Sequence, residues 1–422
     1  MHQRIVRADG SVIILLPKTD TKAITFETFY KVGSRNEDKK LNGVSHFVEH
    51  LMFKGTQKRP NTMDISKELD GVGAEYNAFT GKDHTGYYIK ADNRHLALAI
   101  EMLADMLHNS KFDKAEMDKE RGVIIEEIKM YEENPLMHIE DVFESLIFKD
   151  TVLGQEIAGP KINIKTISRD ALYAYYQKYY YSGNLVLSLA GNFKVKEALA
   201  LLNKFFPVKK SKVRVKIEAV KKSVQKSPQI SLINQPLEQT QMIWGWKSVN
   251  KKDKKFLPLQ VLANILGGNM SSRLFLQIRE RRGLCYSIRA GVNGYEDISS
   301  FNIQAGLNKD KIEEALIAIK EEINKIKTIG VSAEELVQAK ENIRGRLILR
   351  LENPSAYLGF LSDQELFGQK LKTLEDLLKE VDKITLKQIN DMAKEVFVFS
   401  QGNLALIGPF KDKNKFLKLI QA

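Results

Sequence analysis

The sequence is poor in cysteine and in long apolar runs. Cys285 is the single cysteine among 422 residues, which excludes a disulfide scaffold and suits a reducing compartment. The longest apolar run near the start, Val12 to Leu16, is far too short to cross a bilayer. No basic segment followed by an apolar stretch opens the chain, as a secretory signal would require. These absences predict a cytoplasmic protein that does not insert into a membrane.

The composition is close to that of an ordinary globular protein. Hydrophobic residues make up 43% and charged residues 28% of the chain, which excludes a disordered chain and a fibrous repeat. Lys and Arg number 65 against 53 Asp and Glu, and the net charge is +12. This excess is compatible with a nucleic-acid or anionic-membrane partner. Because the lysines are spread along the chain, a solvated basic surface is the favoured interpretation, and no nucleic-acid partner is expected.

The length and an internal repeat predict two related halves. A chain of 422 residues ordinarily holds two or three domains. The segment SGNLVLSLAGNF at 182–193 is echoed by QGNLALIGPF at 401–410, and the glycines Gly183 and Gly402 lie 219 positions apart (402 minus 183). The simplest explanation is one fold present twice, in which each copy ends with a helix, an apolar strand, a Gly turn and a helix.

The boundary between the halves is predicted in a stretch that is rich in Lys and Ser. Residues 208–229 include few large apolar side chains, which is typical of a solvated linker, although the alternating part VRVKIEAV is also compatible with an edge strand. We therefore predict a first domain at 1–211, a linker at 212–229 and a homologous second domain at 230–422. Strands and helices mix in each half without strict alternation, which favours an α+β fold over a doubly wound parallel sheet.

The segment NGVSHFVEHLMFKGT carries the residues most suited to chemistry. If residues 44–54 are helical, His46 and His50 stand at i and i+4, and both imidazoles leave the same face. Two such imidazoles are a bidentate grip for a divalent metal, most often zinc. Glu49 stands beside the second histidine, where its carboxylate can take a proton from a water that the metal activates. The alternative is a helix whose histidines cap or pack and whose glutamate is solvated.

A third ligand is expected on a helix predicted at 114–133. This helix offers three carboxylates, at Glu120, Glu126 and Glu127. Glu120 and Glu127 are seven positions apart and share a face beside an apolar stripe, whereas Glu126 points about 100° away. A buried carboxylate at Glu127 would need a compensating charge, which a dication supplies. The spacing alone favours this site and a merely charged helix surface equally.

The segments HFVEHLMFKGT and ERGVIIEEIKMYEENP together resemble the pitrilysin-type metallopeptidases, the inverzincins, and especially the branch that is similar to mitochondrial processing peptidase. The resemblance extends over nearly the whole chain and implies two related α/β-roll domains, each a mainly antiparallel sheet packed with helices. It implies one zinc ion per chain, bound by His46, His50 and Glu127, with Glu49 as the catalytic base. It also implies that Glu120 is an accessory carboxylate that orients a ligand.

A third segment resembles the family's substrate-binding edge strand. In GAEYNAFTGKDHTGYY, at 73–88, the resemblance implies that Asn77, Ala78 and Phe79 border the cleft. An extended peptide would pair its backbone with this strand. Asn77 is also compatible with a turn, and His84, whose spacing supports no ligand role, is interpreted as structural.

The second half contains SSRLFLQIRERRGLCYSI, which resembles the family segment with an Arg/Tyr pair. Arg282 and Tyr286 match that pair, which would hold a substrate carbonyl or the oxyanion of the tetrahedral state. The neighbouring Arg279 and Arg281 are interpreted as solvated or salt-bridged.

The chain length bears on assembly and function together. Long members of the family have four such domains in one chain, whereas this chain holds two. The resemblance therefore implies a clamshell dimer in which Arg282 and Tyr286 of one protomer serve the zinc of the other. In some relatives the two functions are divided between different subunits, but this chain carries both, so a homodimer is the simplest interpretation. The predicted function is a zinc endopeptidase that cleaves peptides or unfolded polypeptide segments. The alternative is a non-catalytic structural or assembly subunit that uses the same fold as a scaffold.

Overall fold

The structure is a computed structural model that describes residues 2–209, 219–220 and 225–421. Most of the predicted linker at 212–229, and most of its possible edge strand, lies outside the described residues. Two compact units are present. The first consists of Met1–Ile128, Gln155–Glu218 and Leu349–Lys372, and the second of Lys129–Gly154, Ala219–Ile348 and Thr373–Ala422.

The strands form one sheet in each unit. The first sheet contains β1 Gln3–Val6, β2 Val12–Pro17, β3 Ala23–Tyr30, β4 Glu75–Thr80, β5 Thr85–Asp92 and β6 Leu185–Gly191. The second contains β7 Gln229–Asn234, β8 Gln239–Ser248, β9 Cys285–Gly294, β10 Ser299–Asn308 and β11 Asn403–Gly408.

Helices cover these sheets. In the first half of the sequence they are α1 Val44–Leu51, α2 Thr62–Asp70, α3 Leu96–Asn109, α4 Lys114–Glu133, α5 Pro135–Ile147, α6 Lys161–Thr166, α7 Arg169–Tyr179 and α8 Val195–Phe205. In the second half they are α9 Phe256–Gly267, α10 Ile312–Thr328, α11 Ala333–Leu351, α12 Pro354–Leu366, α13 Leu374–Asp382, α14 Leu386–Val396 and α15 Lys413–Gln421, together with a π-helical turn at Phe275–Glu280. Among the helices that the structure describes, none combines the length and the apolar character needed to cross a bilayer.

The two sheets share one topology. The strand orders are β1-β2-β6-β3-β5-β4 and β7-β11-β8-β10-β9. Each sheet has one parallel pair, β2 with β6 and β7 with β11, and the other described pairings are antiparallel. Apart from β1, the strands of the two sheets correspond one to one, and the repeated Gly-Asn-Leu sequence leads into β6 and β11 at equivalent positions. The prediction of two related, mainly antiparallel α+β domains is confirmed.

A second pair of equivalent positions marks an exchange of helices. Asn134-Pro135 and Asn353-Pro354 are again 219 positions apart (353 minus 134). Each Asn accepts a hydrogen bond from the backbone two residues on, and each Pro occupies the first turn of the following helix, α5 or α12. Helix α5 packs on β7, β8 and β11 of the second sheet, whereas α12 packs on β2, β3 and β6 of the first.

Each compact unit therefore contains one helix from the other half of the sequence. The predicted domains at 1–211 and 230–422 are continuous stretches that do not include this exchange. Their boundaries remain a prediction about how the sequence divides.

Strand β3 shows how the first sheet separates two environments. Successive side chains point to opposite faces, so Ile24 and Phe26 are buried in the large core of the first unit. Phe29 lies in the smaller cluster that α12 closes. On the same face, the Thr25 hydroxyl lies 2.7 Å from that of Ser355 on α12.

Candidate metal centre

Helix α1 is amphipathic and presents the predicted site residues on its less buried stripe. Its apolar side chains recur at helical spacing and are buried: Val44, Phe47, Val48 and Leu51. His46, Glu49 and His50 occupy the remaining stripe and are half-buried. The helix packs against β4 and α7. Burial of one stripe thus fixes the direction in which the two imidazoles and the carboxylate point.

The start of α1 is fixed by a carboxylate from outside the helix. Gly43 precedes α1 with a φ of 100°, which favours glycine, and it has no side chain that could cap the helix. Glu37 accepts hydrogen bonds at 2.7 Å from the backbone N–H groups of Gly43 and Ser45, and at 2.8 Å from the Asn42 amide. Burial raises the pKa of Glu37 to about 7, against the opposite effect of these hydrogen bonds. The cap holds α1, which carries the two predicted histidine ligands, in place.

Three ligand atoms converge above α1. Nε2 of His46 lies 3.2 Å from Nε2 of His50. One oxygen of Glu127, on α4, lies 3.7 Å from the first of these nitrogens and 3.4 Å from the second. A tetrahedral zinc ion with bonds of about 2.0–2.1 Å requires ligand separations of about 3.3 Å, so two imidazoles and a carboxylate at these distances fit zinc. Among the residues that the structure describes, this is the one group of three or more such side chains that could hold a metal.

The ligand residues are electrostatically complementary. Burial and the neighbouring His50 lower the pKa of His46. Burial also acts to lower the pKa of His50, but hydrogen bonds with Glu120 and Glu127 outweigh it and raise that pKa above its ordinary value. The hydrogen bond with His50 lowers the pKa of Glu127. The His50 proton thus supplies positive charge between two carboxylates, which is the charge that a divalent metal also supplies.

Glu120 and Lys54 continue the site outwards from His50. One Glu120 oxygen lies 2.8 Å from Nδ1 of His50, and the other lies 2.6 Å from Nζ of Lys54. Burial acts to raise the pKa of Glu120, but hydrogen bonds from His50 and Lys54 leave it below its ordinary value. Since Nδ1 of His50 faces the carboxylate, Nε2 is directed towards the other ligand atoms.

Glu49 is held by a hydroxyl from the neighbouring strand. Thr80, the last residue of β4, donates a hydrogen bond to the Glu49 carboxylate. Burial raises the pKa of Glu49, and the Glu127 carboxylate adds to this, whereas Thr80 and His50 act in the opposite direction. A carboxylate whose pKa is raised in this way is suited to accepting and releasing a proton.

The predicted substrate strand is the edge strand of the first sheet. Strand β4 pairs with β5 on one side, and among the described strands no other pairs with it. Asn77 and Phe79 are exposed, whereas Ala78 points inwards. The Asn77 side-chain oxygen accepts a hydrogen bond from the Ala78 backbone at 2.8 Å. Asn77 therefore lies within a strand and not in a turn.

His84 has the structural surroundings that its interpretation requires. Its ring packs edge-on against Phe29, Phe79 and Phe367. It is not among the ligand atoms that converge above α1.

The second unit contains the predicted Arg/Tyr pair. Tyr286, near the start of β9, has 71% of its surface exposed. Arg282 donates to Glu321 at 2.9 Å, whereas the Arg279 guanidinium lies over the Tyr286 ring, 5.6 Å from its centre, and over Phe275. The arginine in contact with Tyr286 is therefore Arg279. Arg279 also forms the expected salt bridge, with its Nε 3.9 Å from a Glu280 oxygen.

Helix α4, which carries Glu127, has a counterpart in the second half of the sequence, α11, that lacks the predicted metal ligands. Helix α11 begins 20 positions before its Asn-Pro sequence, as α4 does (353 minus 333, 134 minus 114). Ala339 and Arg346 therefore occupy the positions of Glu120 and Glu127, each 219 further along. An alanine and a cation do not bind a metal. The two related units are thus chemically different.

Lys54, Thr80 and Glu37 are the residues that sequence reasoning missed. Their partners Glu120 and Glu49 are 66 and 31 positions away (120 minus 54, 80 minus 49), so no local spacing reveals them. Glu37 lies closer to the helix that it caps, seven positions before Val44. Its signal, an acid shortly before a helix that begins after glycine, is weak because a capping side chain is usually sought at the residue next to the helix.

An H-x-x-E-H helix, a downstream glutamate and a duplicated α+β fold together are features of the pitrilysin-type class of zinc metallopeptidases. A family model described as Insulinase (Peptidase family M16) matches residues 12–161, and one described as Peptidase M16 inactive domain matches residues 166–343. An uncharacterised zinc protease of Streptomyces coelicolor is 32% identical over 416 residues, which cover 97% of this chain and 90% of that protein. The chain belongs to the M16 family of peptidases.

Solved structures agree with this fold. A protease from Helicobacter pylori superposes with a TM-score of 0.90 at 22% identity, over 97% of this chain and 99% of that one. The periplasmic protease PqqL of Escherichia coli gives a TM-score of 0.84 at 19% identity, over 99% of this chain and 49% of that one. At these identities the likeness concerns the fold alone. The "inactive domain" of the family model includes α9 and the first half of α11, in the part of the chain without the ligand set.

Proposed function

We propose that the protein is a zinc-dependent endopeptidase that cleaves peptides or unfolded polypeptide segments. The observation that carries this proposal is the convergence of His46, His50 and Glu127 with Glu49 on the same stripe of α1. One zinc ion per chain would be held by these three side chains. Membership of the M16 family and the zinc-protease relative support the same conclusion.

The chemistry divides between the metal and the side chains around it. Zinc, when bound, supplies Lewis acidity towards a water and a carbonyl oxygen. Glu49 takes a proton from the attacking water and passes it to the nitrogen of the departing amine. Thr80 orients the Glu49 carboxylate through its hydroxyl. Glu120 keeps a proton on Nδ1 of His50 and thereby directs Nε2 to the metal.

The substrate would bind as an added strand along β4. Backbone hydrogen bonds to an edge strand give affinity that is largely independent of sequence, and side chains at alternate positions give preference. Asn77, Ala78 and Phe79 would line that contact, with the exposed Phe79 ring available to an apolar side chain. Because most of the backbone of a folded domain is paired within that domain and cannot extend along β4, such a site selects peptides and unfolded segments.

Assembly as a homodimer would complete the site. This chain matches about half the length of PqqL, which supports a clamshell built from two copies of the shorter chain. In it, Tyr286 with Arg282 or Arg279 of one protomer would stabilise the oxyanion at the zinc of the other. We also propose that the chain belongs to the branch of the family that is similar to mitochondrial processing peptidase. A cytoplasmic location is part of the same proposal.

The test is the substitution Glu49→Gln. The variant is expected to bind zinc in the same amount as the unmodified protein and to lose cleavage of a mixed peptide library. Glu126→Gln, on a carboxylate outside the ligand cluster, is the matched control and is expected to cleave normally. Full hydrolysis by Glu49→Gln would overturn the proposal.

The scaffold alternative has one supporting observation, the family description of residues 166–343 as an inactive domain. Metal analysis separates it from the proposal. About one zinc per purified chain is expected for the peptidase, and none for a scaffold, which has no need of a metal at His46, His50 and Glu127.

A further inference from the structure

We propose that Lys54 is a positioning residue for the zinc site, acting through Glu120 on His50. This inference rests on the zinc ligands of the proposed function and adds a residue outside them. It follows from one chain of contacts, in which Nζ of Lys54 lies 2.6 Å from one Glu120 oxygen and Nδ1 of His50 lies 2.8 Å from the other.

The geometry gives Lys54 a specific task. A carboxylate in contact with a single histidine can rotate about its last bonds and accept with either oxygen. Lys54 engages one oxygen of Glu120, so the other stays directed at Nδ1 of His50. An imidazole that donates from Nδ1 presents the lone pair of Nε2, which is the atom nearest Glu127 and His46. The ammonium group thus fixes the orientation of His50 through the Glu120 carboxylate that lies between them.

Contacts on both sides of Lys54 restrain the loop that carries it. Lys54 follows α1 by one turn, and its backbone N–H donates to Leu51 at 3.1 Å. Five residues further on, Arg59 is 2% exposed, although its side chain is cationic. Its guanidinium binds the carboxylates of α2 and α3 at 2.6–2.9 Å: Glu68, Glu101 and Asp105.

Two further contacts restrain the backbone beside Lys54. The Thr56 N–H donates to the Arg59 carbonyl at 2.7 Å, and the Lys111 N–H donates to the Gly55 carbonyl at 3.1 Å. Gly55 has a φ of +113°, and a Cβ there would lie 2.5 Å from the Pro60 carbonyl oxygen. The backbone at Lys54 is therefore restrained, so that its side chain approaches Glu120 from a fixed direction.

The experiment measures zinc affinity rather than cleavage. Apoprotein is titrated with zinc in competition with a chromophoric chelator, and the visible spectrum of the cobalt-substituted protein is recorded. Lys54→Met is expected to weaken zinc binding about tenfold, as the loss of an outer partner of a ligating histidine typically does, and to alter the cobalt spectrum. Lys54→Arg, which keeps a cationic donor, is expected to restore most of the affinity.

Two controls separate this effect from a general loss of structure. Lys58 lies on the same loop and binds Glu101 at 2.9 Å, so Lys58→Met is expected to leave zinc affinity unchanged. In a Glu120→Gln background the carboxylate is already lost, and adding Lys54→Met is expected to cost less than a further twofold.

The outcomes are distinct. Unchanged affinity in Lys54→Met, or the same loss with and without Glu120→Gln, would overturn the inference. A protein that binds zinc with the expected dependence on Lys54 and cleaves nothing would overturn the endopeptidase proposal alone. A protein that binds no zinc would overturn both.

Discussion

Thr80 connects two parts of the site that have different tasks. As the last residue of β4 it belongs to the proposed substrate strand, and its hydroxyl donates to the Glu49 carboxylate. The position of the base therefore depends on the strand along which the substrate would lie. A displacement of a catalytic group by about 1 Å can reduce a rate by about 10²-fold, so this single hydrogen bond bears on kcat.

We predict that Thr80→Val reduces kcat by about tenfold to hundredfold, because the isosteric side chain cannot hold Glu49. The value of KM and the zinc content are expected to stay close to those of the unmodified protein. Thr80→Ser retains the hydroxyl and is expected to recover most of the rate. Steady-state kinetics with a fluorogenic peptide and metal analysis of each variant are the measurements. Equal loss of kcat in Thr80→Ser and Thr80→Val would contradict this explanation.

At the scale of elements, the exchanged helix α12 covers a sheet face that contains a partly buried acid. Glu27 lies on β3 between Thr25 and Phe29 and points to the same face as they do. One of its carboxylate oxygens is buried, and none of the residues that the structure describes forms a hydrogen bond with it. Burial raises the pKa of Glu27 to about 8. The folded protein thus keeps a proton there that the unfolded chain releases.

The sign of the resulting pH dependence is fixed. The pKa of Glu27 is about 4.3 in the unfolded chain and about 8 in the folded protein. Between these two pH values the native state binds more protons than the unfolded state, so the stability falls as the pH rises. We predict that this one group lowers the free energy of unfolding by up to about 1.4 kcal/mol per pH unit up to about pH 8. Glu27→Gln is expected to remove this dependence and to be the more stable protein at pH 8. The test is denaturant unfolding at pH 6, 7 and 8, and Asp20→Asn, at an exposed acid, is the control. If the free energy of unfolding changes with pH equally in Glu27→Gln and in the unmodified protein, the prediction is wrong.

Local patterns account for the elements that the sequence alone could predict. The residue pattern predicts a helix at 114–133 and a strand at 239–247, and these match α4 and β8 closely. The helix has a marked end because the Asn134-Pro135 sequence follows it. The same pattern predicts a helix at 271–281, which in the structure is in part a π-helical turn at Phe275–Glu280. The expected edge strand at 73–88 is a hairpin of β4 and β5. The exchange of α5 and α12 was not predicted, because it depends on which sheet a helix packs against, and helical periodicity carries no such information.

The candidate site, like the fold, could be predicted where it depends on local spacing and not where it depends on contacts between distant segments. The spacing of His46, Glu49 and His50 is sufficient to predict that their side chains share one face of α1. The choice of Glu127 over Glu126 required the family resemblance, because helical spacing left a charged surface equally possible. Contacts such as that between Lys54 and Glu120 join segments distant in sequence and become visible with the fold.

At the scale of the whole molecule, the proposed dimer would make each zinc site depend on two protomers. One protomer would supply the metal ligands, Glu49 and β4, and the other would supply Tyr286. An oligomer with a shared site has a property that a monomer cannot have, since two differently damaged chains can together form one intact site.

We predict that Glu49→Gln and Tyr286→Phe are each nearly inactive, because they lack the base and an oxyanion donor, respectively. When the two variants are refolded together in equal amounts, half of the dimers are mixed, and each mixed dimer has one intact site of two. About a quarter of the unmodified activity is therefore expected to return. Peptide cleavage before and after mixing, with the mass of the assembly from light scattering, is the measurement. A monomeric protein, or no recovery on mixing, would contradict the shared site.

The exchange of α5 and α12 has a consequence for a nicked protein. If a protease cuts the chain between 209 and 225, the two fragments are no longer joined covalently, yet each keeps one helix buried against the sheet that the other fragment forms. Separation would require both helices to leave their sheets, with the exposure of apolar clusters on both. The two fragments would therefore migrate as one particle in a sizing column and as two bands in a denaturing gel.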